Sequence, residues 1–152
     1  VSTDGSAEAE YILSKSGLGS LLGGRVWEDE VPSDVKLPVV RDEVLPYAII
    51  HFGTPITETP GRGSGRSLAA SENQQPHVLP MTVFIYATRS ASLRAAFSSV
   101  WGKLIGMRPS PTGNAGEISS TGGTRMTEKD DKGAIKRLVR VIYAQVRIGL
   151  NG

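Results

Sequence analysis

The spacing of apolar positions along this chain changes once, and sharply, within residues 78–107, VLPMTVFIYATRSASLRAAFSSVWGKLIGM. Met81, Val83, Ile85 and Ala87 recur at every second position, as one face of a strand does. Leu93, Ala96, Phe97, Val100, Trp101 and Leu104 recur at the three- and four-residue spacing of a helix. The change falls at Ala87-Thr88-Arg89-Ser90, where the hydroxyl of Thr88 or Ser90 can accept from an unpaired first-turn N–H and cap the helix. This strand, turn and helix predict a core built from Val83, Ile85, Phe97, Val100, Trp101 and Leu104.

Two further strands alternate in the same way. In residues 47–56, Ala48, Ile50, Phe52 and Ile56 share one face and Tyr47, Ile49 and His51 the other, with Pro55 marking where the strand leaves the sheet. In residues 136–148, Leu138, Ile142, Ala144, Val146 and Ile148 face one way and Val139, Val141 and Tyr143 the other; Arg140 interrupts the first face. Phe52 and Ile142 therefore join the expected core. Ser6 and Glu10 open a short helix that the glycines of residues 17–24 end, and residues 25–27 make an edge strand. Residues 117–120 and 124–129 flank Thr121-Gly122-Gly123, which reads as a turn. Residues 1–5 read as a loose tail, and residues 28–45 and 59–75 as long loops, which in compact domains tend to be functional or wrapped on a partner.

The fold class that follows is α+β in a single domain over residues 1–152: a mainly antiparallel sheet of four or more strands packed against two helices, with long extended loops. A strand that is apolar on both faces needs cover on both. Two helices are few for such a sheet, so a neighbouring subunit or the chain's own loops must supply the rest.

Composition narrows the picture. The chain has 152 residues, enough for one core, but aromatic content is 6% and there are 18 glycines and 9 prolines, so loops dilute that core. The absence of cysteine excludes disulfides, thiolate metal sites and a cysteine nucleophile. With no apolar run of about 20 residues and an acidic beginning, VSTDGSAEAE, a soluble protein with no membrane association is expected. The formal charge of +2 conceals an asymmetry. Residues 1–60 carry ten acidic against four basic side chains, and the remainder five against thirteen. The halves form two poles if they occupy different surfaces, and cancel if folding interleaves them.

Candidate chemistry is sparse. His51 and His77 each lie in or beside an apolar strand, without a metal-ligand spacing or a serine elbow. Ser90, Ser92, Ser98 and Ser99 have no positioned base to activate them. The glycines of residues 17–24 and 61–66 lack the flanking elements of phosphate or dinucleotide loops. Glu28-Asp29-Glu30 lacks the turn glycine and alternating oxygens of a calcium loop and reads as a solvated or partner-facing charge run. Basic residues stand above this background: Arg62 and Arg66 in one loop, and Arg125, Lys129, Lys132, Lys136, Arg137, Arg140 and Arg147 toward the C-terminus. On one surface they would attract nucleic acid without reading its sequence.

The ordered pieces resemble a known family. A short N-terminal helix leads to Gly-Gly-Arg25-Val26-Trp27, which enters an acidic, Pro-bearing loop. LPYAIIHFGTP follows at residues 45–55, then a strand from Met81 to Tyr86 runs into the helix and Met107-Arg108-Pro109. This order and these phrases are similar to the tail-terminator proteins of long-tailed bacteriophages, especially those of actinobacterial hosts, over most of residues 7–148. Head-to-tail connector subunits share related small α+β folds.

The resemblance implies a structural, non-enzymatic virion protein without a cofactor. It would form a six-membered ring at the head-proximal end of the tail tube, stop tube polymerisation and join the tail to the head connector. Its partners would be copies of itself, the tail-tube protein, the connector proteins and genomic DNA passing nonspecifically through the lumen. Within that picture Glu28, Asp29, Glu30, Arg62 and Arg66 are the candidate subunit or tube contacts. Arg125, Lys129, Lys132 and Lys136 are the candidate DNA-facing residues.

Overall fold

A computed structural model describes residues 5–57, 77–109, 115–129 and 137–148. The elements follow in the order α1 (Ser6–Leu13), β1 (Val26–Glu28), β2 (Val39–Val40), β3 (Glu43–Val44), β4 (Tyr47–Phe52), β5 (Ile56–Thr57), β6 (His77–Ala87), α2 (Ser90–Leu104), β7 (Ser119–Lys129) and β8 (Arg137–Ile148). The fold is α+β. Six strands form one sheet in the order β1-β4-β6-β8-β7, with β5 beside β6, and every pairing in it is antiparallel except that of β1 with β4. The apolar-rich β6 and β8 lie at the centre, registered from His77 opposite Ile148 to Ala87 opposite Leu138.

One face of this sheet carries both helices. The period-two residues Leu79, Met81, Val83, Ile85 and Ala87 of β6 share it with Ala48 and Ile50 of β4 and Ile142, Ala144, Val146 and Ile148 of β8, and all are buried. Against them α2 buries Leu93, Ala96, Val100 and Leu104, a stripe at i, i+3, i+7 and i+11. Each buried Leu, Val or Ile contributes roughly 1.5–3 kcal/mol by leaving water, and the alanines less. Ile12 of α1 and Leu18 of the turn after it complete the layer. Gly17 permits that turn, because a Cβ there would collide with the carbonyl oxygens of Tyr11 and Ile12.

Trp101 departs from the expected core: it is 38% exposed. Phe97 and Phe52 are only half-buried, packed against the core's margin. The helix stripe centres on residues 96, 100 and 104, so Phe97 and Trp101 fall on its flank. There they stack on each other with ring centroids 5.6 Å apart.

Several local expectations are corrected by tertiary contacts. Neither Thr88 nor Ser90 caps α2; Arg89 is its N-cap, without a side-chain capping bond, and the Thr88 hydroxyl accepts from the N–H of Val44 at 3.0 Å. Gly5, not Ser6, occupies the N-cap of α1, and Ser6 is the first helical residue. The span 47–56 divides into β4 and β5 at Gly53-Thr54-Pro55, where the Gly53 N–H donates to the Pro80 carbonyl at 2.8 Å. Thr121-Gly122-Gly123 does not turn. β7 runs through it, and the extra residue is absorbed as a bulge between Ser120 and Gly122, with Gly122 at φ 131° and its N–H donating to the Ser120 hydroxyl at 3.2 Å. The long loop of residues 28–45 contains the small β2–β3 hairpin, turned by Arg41 and Asp42 at φ 53° and 62°.

Candidate functional site

The second face of the sheet has no helix over it among the described residues. Its surface is aromatic. Tyr47 stacks on Tyr86 with centroids 4.8 Å apart, Trp27 tilts against Tyr47 at 6.2 Å, and the His51 ring meets Phe84 edge-on at 5.2 Å. The register explains the clustering: Tyr47 is the direct cross-strand partner of Tyr86, and Ile49 of Phe84. Arg137 of β8 donates to the Tyr47 hydroxyl at 2.9 Å and lies over its ring. Burial pushes the Tyr86 phenol above its ordinary pKa, and the nearby Arg137 charge pulls it the other way.

Part of this face is covered by the chain itself. The β2–β3 hairpin is held by the Thr88–Val44 bond and by an ion pair between Arg89 and Glu43, and it buries Val44. Toward the other end of the strands, Val78, Pro80, Thr82 and Phe84 stay half-exposed and Tyr143 is 42% exposed. The expectation that loops or a neighbour must cover the second face thus resolves in part. A loop covers the Tyr47–Tyr86 end, and the Tyr143 end stays open.

The acidic cluster lies at one edge of the sheet. Glu28 ends β1, opposite Ile50 and hence on the helix-bearing face, in a cleft of about 270 Å³ beside Phe52, Leu79 and the start of α1. Asp29 leaves the strand at φ 65° with its N–H donating to the Ile50 carbonyl, and its carboxylate stands 3.3 Å from the His51 Nδ1. The Glu30 N–H donates back to the Glu28 carbonyl at 2.7 Å, so the cluster is a tight turn, exposed throughout.

The basic candidates divide. Arg62, Arg66, Lys132 and Lys136 lie outside the described residues. Arg125 and Lys129 belong to β7, in register with Arg140 and Arg137 of β8. At this edge Phe97, Trp101, Ser120, Gly122, Gly123 and Arg140 line a groove of about 340 Å³ on the helix-bearing side. The Arg140 guanidinium lies 3.6 Å from the Phe97 ring centroid. His51 and His77 are not brought together: His51 pairs with Thr82 in the ladder, and His77, buried, begins β6 opposite Thr57 and Ile148. Among the described residues no three His, Asp or Glu side chains converge as metal ligands, and no helix is long and apolar enough to cross a membrane.

Sequence reasoning missed two roles here. Arg25 sends its Nε–H to the Pro46 carbonyl at 2.8 Å, tying the entry of β1 to that of β4; burial lowers its pKa from the ordinary value. Thr88 serves the hairpin and not the helix. Neither role leaves a local signal. The interruption of the apolar face of β8 by Arg140 was the one visible sign of the groove.

No family model matches the chain, and no curated protein matches it. Among solved structures, a chain of the "Virion of native gene transfer agent (GTA) particle" is similar to it with a TM-score of 0.45 and 13% identity, over 93% of this chain and 90% of that one. A likeness this distant carries no argument about function.

Proposed function

We propose that this chain is a structural virion protein of the tail-terminator class, a subunit that forms a ring at the head-proximal end of a phage tail tube. The observation that carries the reading is the strand order. It places β1 and β4, from the acidic half of the chain, at one edge and β8 and β7, from the basic half, at the other. The acidic turn that ends β1 and the arginines of β8 lie toward opposite edges of one sheet, which suits a subunit that meets identical neighbours on both sides. The open aromatic end of the second face adds apolar surface of the kind that marks an interaction site.

In this reading Glu28, Asp29 and Glu30, with Arg62 and Arg66, make contacts to neighbouring subunits or the tube. Arg125, Lys129, Lys132 and Lys136 face DNA in the lumen, and the ring meets the head connector on its other side. The order of elements shared with tail terminators supports the same assignment, and the role needs no cofactor or catalytic group.

Negative-stain imaging of the purified chain with tail tubes tests it. Closed rings, alone or capping one end of each tube, are the expected result. Open stacks would assign the chain to tube subunits, and rings that bind head connectors but never tubes would assign it to connectors. A strict monomer that binds neither would remove the reading.

A further inference from the structure

The two edges of the sheet leave complementary groups open. At the β7 edge, Trp101 is exposed and stacked on Phe97, and Arg140 lies over the Phe97 ring. Arg140 makes no ion pair among the described residues. Arg125 occupies the position directly opposite Arg140 in the ladder. Gly122 and Gly123 leave the backbone of this edge strand without side chains over the groove. An exposed tryptophan beside an arginine without an ion pair among the described residues has the composition of an interface anchor.

At the β1 edge, Glu28 and Glu30 are exposed and make no ion pair among the described residues. Glu28 lies on the helix-bearing face, the same face that carries the groove.

We propose that the groove of Phe97, Trp101 and Arg140 receives the acidic turn at residues 28–30 of a second copy. The carboxylates of Glu28 and Glu30 meet the Arg140 guanidinium, and the turn covers Trp101. The inference rests on the ring-forming reading and names its subunit contact; Arg125, Lys129, Lys132 and Lys136 are left for DNA. Donor and acceptor sit on opposite edges of one sheet, so the contact is heterologous. It passes from copy to copy and either closes as a ring or continues as a filament.

Sedimentation velocity of the full chain over a concentration series tests the contact. The variants are Arg140→Glu and the pair Glu28→Lys with Glu30→Lys. Each alone should raise the concentration for half-association by at least about tenfold, the effect of opposing like charges across an interface. An equal mixture of the two should assemble again, because every contact in it can be either the native pair or its charge-reversed counterpart. Thermal melts monitor folding; if Arg140→Glu does not fold, Arg140→Gln replaces it for the single-variant comparison, and its mixture with the Glu28→Lys, Glu30→Lys variant should recover two-copy complexes only, through its acidic turn and the other variant's Arg140.

Wild-type assembly that persists unchanged in both variants overturns the docking and leaves the ring reading standing. Loss in both variants without recovery in the mixture also overturns it. A wild-type chain that is monomeric at every concentration and never binds tubes removes the ring reading and the docking together.

Discussion

Truncating two neighbours on α2 separates what that helix does for the fold from what it offers to partners. Leu104 is wholly buried in the last turn, against the central strands, whereas Trp101 is 38% exposed and has Phe97 as its stacking partner. Leu104→Ala removes a closed core contact and leaves a cavity, which costs about 3 kcal/mol within a range of roughly 2–5. Trp101→Ala forfeits a stacked pair worth roughly 0.5–1.5 kcal/mol and part of a ring's burial, while the open groove lets water replace it; the loss is about 1–2 kcal/mol. At about 2–4 °C per kcal/mol for a chain of this size, the melting temperature should fall by roughly 6–12 °C in Leu104→Ala and roughly 2–8 °C in Trp101→Ala. Urea unfolding followed by far-ultraviolet circular dichroism, below the association range, is the assay. Fluorescence is unsuitable, because the variant loses one of 2 tryptophans. An equal or greater loss in Trp101→Ala would place Trp101 in the core and refute both the burial argument and the groove built on it.

Two further outcomes follow from the covered end of the second face. Thr88→Ala leaves the Val44 N–H without its acceptor, and should cost about 1 kcal/mol and speed amide exchange across residues 39–44 while leaving α2 protected; exchange that accelerates in α2 instead would restore the capping role. Tyr86, whose phenol is held above the ordinary 10.0 by burial, favours the neutral form in the folded chain, so its contribution is complete below pH 10.0 and is lost as pH rises through the folded value. Stability measured in urea should therefore fall on the alkaline side in the parent and less so in Tyr86→Phe. Arg137→Gln, which removes the charge that lowers this pKa, should move the phenolate transition observed by ultraviolet titration still higher.

What could be read along the chain was what repeats along it. The alternation in β6 and β8 and the helical spacing of α2 each follow from one backbone geometry imposed on successive residues, so periodicity exposed the α+β class, most strand positions and the aliphatic core of Val83, Ile85, Val100, Leu104 and Ile142. The same spacing could not decide between the centre and the flank of the stripe, and so it included Trp101. Glycines were ambiguous for a similar reason: the freedom that permits a turn at Gly122 equally permits a bulge, and pairing with β8 that resumes on both sides of it decided for the bulge.

Opposite charge in the two halves of the chain, and strands apolar on both faces, are legible without any coordinates. Tertiary pairing set the acidic turn after β1 at one edge of the sheet and the arginines of β8 toward the other, because strand order depends on residues far apart in sequence, and it laid the acidic β2–β3 hairpin against Arg89. It also decided that Tyr47, Tyr86 and Arg137 form one cluster and that Arg140 lies over Phe97 beside an open tryptophan. Such contacts are fixed by register and packing, which no local spacing encodes.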